Sequence, residues 1–201
     1  MMGKHEVNYP RVEKDLYPTP SWVVEALSEH IELAGLEIWE CAAGKGDMVE
    51  ALKGAGASVH ATDVHDYGYR LDRILDFTSG RHRAQSFDGI VTNPPYGARA
   101  KLAEKFVEVG LRHIARRHAS FLALLLPNDF DSAKTRPHLF AGCPYFAGKI
   151  VLTRRVMWFV NPGKRKAPKE NHGWFIWRRS VIRGRQPVIL YAPQISREVS
   201  S

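Results

Sequence analysis

Hydrophobic positions along the chain follow two periods, and they alternate. Trp22, Val23, Ala26, Leu27, Ile31 and Leu33 recur every three to four residues. They predict a helix opened by Thr19, Pro20 and Ser21, with a hydroxyl cap and a first-turn proline, and closed by Gly35. Residues 36–40 read as a short strand and 41–46 as a small-residue turn. Residues 47–53 read as a second helix, closed by Gly54 and Gly56, and 58–64 as a second strand. Residues 87–93 form a third strand, stopped by Pro94 and Pro95.

The strongest helical pattern covers 98–117. Leu102, Ala103, Phe106, Val107, Gly110, Leu111 and Ile114 share one face, and Lys101, Glu104, Lys105, Glu108 and Arg112 the other. Residues 121–126 are uninterrupted apolar positions, as in a strand covered on both faces. Residues 149–160 and 172–179 read as two strands around a Gly/Pro/Lys loop, and 187–192 as a last strand. Strands alternating with helices predict an α/β fold with a mainly parallel sheet and a C-terminal antiparallel hairpin. No repeat or composition break divides residues 1–201, so one domain is expected, with an arm over 1–16 and a mobile basic loop over 161–171.

Composition narrows the class. Apolar residues make up 44% and charged residues 25% of the 201, a globular balance. No apolar run approaches the roughly 20 residues of a membrane helix, and the first ten residues carry no secretory signal. Two cysteines, Cys41 and Cys143, make neither a disulfide framework nor a thiolate metal site, and the nine histidines show no ligand spacing. A cytoplasmic protein without membrane or metal is expected. Oligomeric state leaves no trace in the sequence.

The formal net charge is +8, and it is unevenly placed. Residues 149–185 hold eleven Lys/Arg against one acid, Glu170, a local surplus of +10. Such a stripe favours a polyanionic partner, most often nucleic acid. Arg154, Arg155, Lys164, Arg165, Lys166 and Lys169 are the candidate phosphate contacts, flanked by Arg178 and Arg179. Among the interleaved aromatics (Trp158, Phe159, Trp174, Phe175, Trp177), most are expected to face the core, with His172 as a polar rim residue and Phe146 as a possible pocket wall.

Candidate chemistry centres on Asn93, Pro94, Pro95 and Tyr96, at the end of an apolar strand. In open α/β sheets that edge holds the ligand crevice. Asn93 offers an amide oxygen, Pro94 a rigidly presented carbonyl, and Tyr96 a flat ring. Two acceptors and an aromatic face suit a planar substrate that carries an NH2 group. Upstream, Glu40, Cys41, Ala42, Gly44 and Gly46 join a strand to a helix start, where small residues allow close backbone approach. Asp63, about twenty residues on, suits ribose hydroxyls. Asp76 and Phe77 suit an adenine, by an acceptor and a ring face.

In this order the motifs resemble those of the DNA adenine-specific amino-methyltransferases that use S-adenosyl-L-methionine. Asp15 to Pro20, with Tyr17 and Thr19, resembles that family's leading cofactor-binding motif. Glu40 to Gly46 resembles the loop around the methionine part, Asp63 the ribose-binding acid, Asp76 and Phe77 the adenine-binding pair, and Asn93 to Tyr96 the catalytic signature. The resemblance covers residues 15–127 and implies a Rossmann-like class I methyltransferase acting on N6 of adenine in DNA. Two departures stand out. Cys41 replaces a usual proline, and no sizeable target-recognition domain fits, as in compact phage and prophage enzymes. The same tetrapeptide also occurs in methyltransferases of RNA amino groups and of a release-factor glutamine, so the motif does not choose the acceptor. A non-catalytic nucleic-acid-binding module on the same fold is the rival from another class.

Overall fold

The computed structural model describes residues 17–80, 86–158, 170–179 and 186–193. The arm over 1–16, including Asp15, lies outside these residues. So do Lys164, Arg165, Lys166 and Lys169 of the basic loop, and Phe159.

Among the described residues there are eleven α-helices and strands, and all but the unpredicted two-residue strand Arg73–Ile74 follow the predicted order. They are α1 (Ser21–Ser28), β1 (Glu37–Glu40), α2 (Asp47–Gly54), β2 (Ser58–Asp63), β3 (Arg73–Ile74), β4 (Gly89–Thr92), α3 (Lys101–Ala115), β5 (Phe121–Pro127), β6 (Phe146–Val151), β7 (His172–Arg178) and β8 (Val188–Tyr191). The strands form one sheet in the order β3-β2-β1-β4-β5-β7-β6-β8. β1 pairs in parallel with both β2 and β4, and β4 with β5. β7 runs antiparallel between β5 and β6, and β8 adds a parallel edge strand beside β6. The predicted α/β class, parallel sheet and antiparallel hairpin are therefore observed. Strand order reverses between β1 and β4, and in such folds that switch point opens the ligand crevice beyond the strands' carboxyl ends.

Apolar layers cover both faces of the sheet. One joins α1 and α2 (Val23, Leu27, Leu52) to Ile38, Leu125 and Trp174, and the other joins α3 (Phe106, Val107, Ile114) to Leu122, Phe175 and Trp177. This explains why β5 reads as an unbroken apolar run. It also explains the aromatic-rich β7, where Trp174, Phe175 and Trp177 are fully buried on alternate faces. Buried indole N–H groups need partners. Trp174 Nε1 donates to the Val23 carbonyl (2.8 Å), tying α1 to the sheet, and Trp177 Nε1 to the Leu139 carbonyl (2.7 Å). A Cβ at Gly110 would stand 2.6 Å from the Leu122 side chain, so α3 lies against β5 as closely as glycine permits.

Local expectations failed where tertiary contacts set the pattern. α1 stops at Ser28, and Ile31 and Leu33 are buried from an irregular stretch. Pro20 is the N-cap, and its ring offers no acceptor for a side-chain cap bond; the Thr19 hydroxyl accepts from Asn93 Nδ2 instead. Leu102, expected inward, is exposed at the cleft mouth. Glu104, expected outward, is buried because Lys101 (3.0 Å) and Arg136 (3.5 Å) neutralise it. β6 spans Phe146–Val151 rather than 149–160. Leu152 and Val156 bury into the core beyond the end of β6, and Leu152 N–H still donates to the His172 carbonyl (3.2 Å).

Candidate active site

The carboxyl ends of β1, β2 and β4 frame a cleft of about 640 Å³. Tyr17 and Thr19 lie on one side, Glu40 to Gly44 and Asp63 at the base, Asp76 and Phe77 beyond, and Asn93 and Pro95 at the end of β4. The structure thus gathers residues from all five predicted motifs around one cavity.

The turn after β1 is built on backbone contacts. Ala43 N–H donates to the Thr62 carbonyl (3.0 Å) and Gly46 N–H to the Ala43 carbonyl (2.8 Å). Gly46 has φ +88 and begins α2; a Cβ there would collide with the Tyr69 ring. Gly46 therefore sits beneath Tyr69 and does not line the cleft, whereas Gly44 does. The expected contact of Gly46 with a ligand is replaced by a shaping role, since only glycine fits both the angle and the space.

Asp63 organises the same turn. Its Oδ2 accepts the Gly44 N–H and its Oδ1 the His65 N–H, each at 2.9 Å. The carboxylate is buried and joins the ends of β1 and β2. Asp76 is exposed on the cleft, and its Oδ1 accepts from the backbone N–H (2.8 Å) and hydroxyl (2.6 Å) of Thr78. Phe77 reaches the cleft but is only 2% exposed. Most of its ring packs on Trp39 and Phe106, each at 5.1 Å between centroids.

Glu40 is the least expected group. It is 1% exposed. Its Oε1 accepts from Ala42 N–H (2.8 Å) and from the Thr92 hydroxyl (2.5 Å), while Oε2 is buried without a partner. Burial, with a smaller contribution from the Asp63 charge, raises its carboxyl to about 8. The neighbouring Cys41 thiol is pushed well up by burial and by Glu40, so it is a packing group.

Asn93 is held from behind. Its Nδ2 donates to the Thr19 hydroxyl (3.1 Å), which leaves Oδ1 facing the Tyr96 hydroxyl at 3.4 Å. Pro94 is buried and does not line the cleft; Pro95 does. The Tyr96 ring is not the open platform expected from sequence. It is half-buried, its hydroxyl donates to the Leu125 carbonyl (3.2 Å), and the ring stacks against His172 at 6.1 Å. His172, expected on the rim, is 1% exposed, with Trp158 edge-on at 5.1 Å. Burial lowers its imidazole to about 4, with partial offsets from the Glu170 backbone and the Asp129 charge. Phe146 packs against Phe140 and Trp177 rather than walling the cleft.

Sequence reasoning missed His65, Tyr67, Met48 and Phe106, which also line the cleft. His65 and Tyr67 follow the end of β2, Met48 lies in the first turn of α2 and Phe106 on the inner face of α3, positions that carry no chemical signal in sequence. Of the basic candidates, Arg154 lies over the Trp22 ring at 4.9 Å, and Arg155 Nε donates to Asn171 Oδ1 at 3.0 Å. Away from the cleft, Glu104, Glu108 and His138 bring one ligand atom each within 4.8 Å of the others. Lys101 and Arg136 already occupy the Glu104 carboxylate, which disfavours a cation there. Among the described residues no helix is long and apolar enough to cross a membrane.

No family model and no curated protein sequence matches the chain. Solved structures do resemble its fold. A candidate RNA methyltransferase from Pyrococcus horikoshii superposes with a TM-score of 0.60 at 13% identity, over 85% of this chain and 90% of that one. A Thermoplasma acidophilum protein gives 0.57 at 14% identity, over 84% and 92%. The modification subunit of a candidate type I restriction enzyme from Vibrio vulnificus gives 0.53 at 14% identity, over 86% of this chain and 49% of that subunit, about half its length. The fold is therefore the Rossmann-like fold of class I methyltransferases.

Proposed function

We propose that the chain is a methyltransferase that uses S-adenosyl-L-methionine to methylate the exocyclic amino group of adenine in DNA. The observation that carries this reading is the convergence of Glu40, Asp63, Asp76 and Asn93 on one cleft at the switch point of the sheet. The likeness of fold to methyltransferases and the ordered motifs support it.

The cleft residues suit this cofactor. The unpartnered Glu40 Oε2 is buried, and on losing its proton it becomes an acceptor that an α-ammonium group would satisfy. Asp63, already fixed by two backbone donors, has lone pairs left for ribose hydroxyls, and Asp76 lies at the far side for an adenine amino group. When bound, the cofactor supplies a methyl group on a positively charged sulfur.

This chain's own part is to make a poor nucleophile attack. The amino lone pair of adenine is delocalised into the ring. An acceptor at Asn93 Oδ1 pulls on an amino proton and favours a tetrahedral nitrogen. It also offsets the positive charge that grows on that nitrogen during attack. Thr19 holds the Asn93 amide so that Oδ1, rather than Nδ2, meets the substrate. One preorganised contact of this kind is worth about a hundred- to a thousandfold in rate, and alignment supplies much of the rest. In a duplex the base leaves the stack first, at a cost of a few kcal/mol.

The test is transfer of a tritiated methyl group to DNA, RNA and protein side by side. Label on N6 of adenine in DNA is expected. Label confined to RNA or to protein overturns the acceptor assignment, and no transfer to any polymer overturns the enzyme.

A further inference from the structure

We propose that Arg112, Arg116, Arg117, Arg178 and Arg179 form a second nucleic-acid surface, at the sheet edge opposite the cleft, that grips the phosphate backbone of duplex DNA away from the methylated base. The choice of DNA rests on the proposed function. The surface itself rests on where the fold puts these side chains.

In sequence, Arg178 and Arg179 belong to the same basic stripe as Arg154 and Arg155. The sheet separates them. β7 starts at the cleft edge, where His172 pairs with Pro127, and ends at the opposite edge, where Arg178 pairs with Phe121. Its seven residues span about 20 Å. α3 makes the same journey, from Lys101 beside the catalytic turn to Ala115. Arg112, Arg116 and Arg117 thus arrive at the end of α3, and Arg179 N–H donates to the Ser120 carbonyl (2.9 Å) at the start of β5. The two segments meet at one edge.

Arg112, Arg116, Arg117 and Arg179 are exposed, and Arg178 is half-buried. Among the described residues none of the five forms an ion pair. The Arg179 guanidinium reaches only the Ser120 hydroxyl, at 3.5 Å. Among the described residues, Glu37 and Asp88 are the acids at the starts of β1 and β4 on this edge, and Asp88 Oδ2 is occupied by the Glu37 N–H (2.8 Å). Glu108, one turn before Arg112, is paired with Lys105. A surplus of unpaired guanidinium groups remains, the side chain best shaped for phosphate.

Arg117 adds a second observation. Its φ is +63. His118 N–H donates to the His113 carbonyl (2.8 Å) and Arg117 N–H to the Ile114 carbonyl (3.0 Å), the bond pair of a helix end that favours glycine at this position. The chain carries arginine where the backbone asks for glycine, and strained residues of this kind concentrate at functional surfaces.

About 20 Å corresponds to about six base-pair steps, so only a duplex reaching that far past the target touches the patch. The experiment measures binding of labelled DNA duplexes of about 24 and about 8 base pairs across a salt series. R116Q/R117G is compared with R70Q/R73Q, which removes equal charge at the β3 edge. For the long duplex, R116Q/R117G is expected to make the slope of log affinity against log salt shallower by about two, near 0.9 per lost phosphate contact. The control pair should leave that slope unchanged, and the short duplex should not distinguish the variants. R117G alone should keep or raise the melting temperature, which separates lost contact from lost fold. An unchanged slope, or equal changes in both pairs, overturns the patch. Tighter binding of an RNA duplex of the same sequence overturns the choice of DNA. Methyl transfer is scored separately: a patch that fails while wild-type protein methylates DNA leaves the proposed function standing, and the reverse result removes only that function.

Discussion

The side-chain amide of Asn93 donates from Nδ2 to the hydroxyl oxygen of Thr19 over 3.1 Å, joining the end of β4 to the segment before α1. Residues 74 positions apart in the chain therefore fix one amide rotamer. Thr19 was expected as a helix cap; its hydroxyl instead fixes the Asn93 amide, with Oδ1 turned toward the Tyr96 hydroxyl. Thr19→Val keeps the shape and removes the acceptor. Turnover is expected to fall at least about tenfold, from the loss of a roughly 1 kcal/mol hydrogen bond and of preorganisation. Cofactor affinity should change less, and Thr19→Ser should restore turnover. Steady-state methyl transfer with calorimetry of cofactor binding checks this.

Asn93→Ala removes the acceptor itself. Methyl transfer should fall about a hundred- to a thousandfold or more, with the cofactor dissociation constant nearly unchanged. Full residual turnover in this variant would remove Asn93 from the chemistry.

Glu40 and His172 give the fold a two-sided pH response. Glu40 sits near 8 when folded against 4.5 in the unfolded chain. Between those values the folded state keeps a proton that the unfolded state releases, so stability falls as pH rises through this window. His172 sits near 4 against 6.5, so the unfolded state binds the extra proton and stability falls as pH drops from 6.5 towards 4. The slopes oppose each other where the windows overlap. Glu40→Gln should flatten the melting temperature between pH 6.5 and 8 and expose an acid limb below 6.5, and His172→Gln should leave stability rising as pH falls from 6.5 towards 4.5. Thermal melts across pH would contradict the assignments if both variants kept the wild-type profile.

The same carboxyl should report on the cofactor. An ammonium group against Oε2 favours the ionised form of Glu40. Binding near pH 7 is then expected to release up to about one proton, seen as a dependence of calorimetric heat on buffer ionisation, and Glu40→Gln should abolish it.

Asp63 has a structural and a binding share. Asp63→Ala leaves the Gly44 and His65 N–H groups without their acceptor, and a loss of about 1–3 kcal/mol of stability is expected. Cofactor affinity should fall too, since the turn that Asp63 anchors lines the cleft. Denaturant melts and calorimetry separate the shares; unchanged affinity at lowered stability would remove the ribose role.

The alternation of periods along the chain was enough for the fold class, for the edge of the sheet where chemistry would gather, and for the element order apart from the two-residue β3. Those follow from local propensity and from which positions must be apolar, and both are written in neighbouring residues. Asn93, Asp63, Asp76 and Glu40 were legible for a related reason: strand ends and turn glycines mark them out. Only tertiary structure decided what each side chain does. It took the Thr19 hydroxyl from a helix to an amide, buried Glu40 until its carboxyl holds a proton, closed His172 behind Tyr96, and turned Leu102 out and Glu104 in. It also divided one basic stripe between two edges of the sheet, because an antiparallel strand carries its last residues away from where its first ones sit. Such outcomes depend on distances between segments far apart in sequence, which no local pattern encodes.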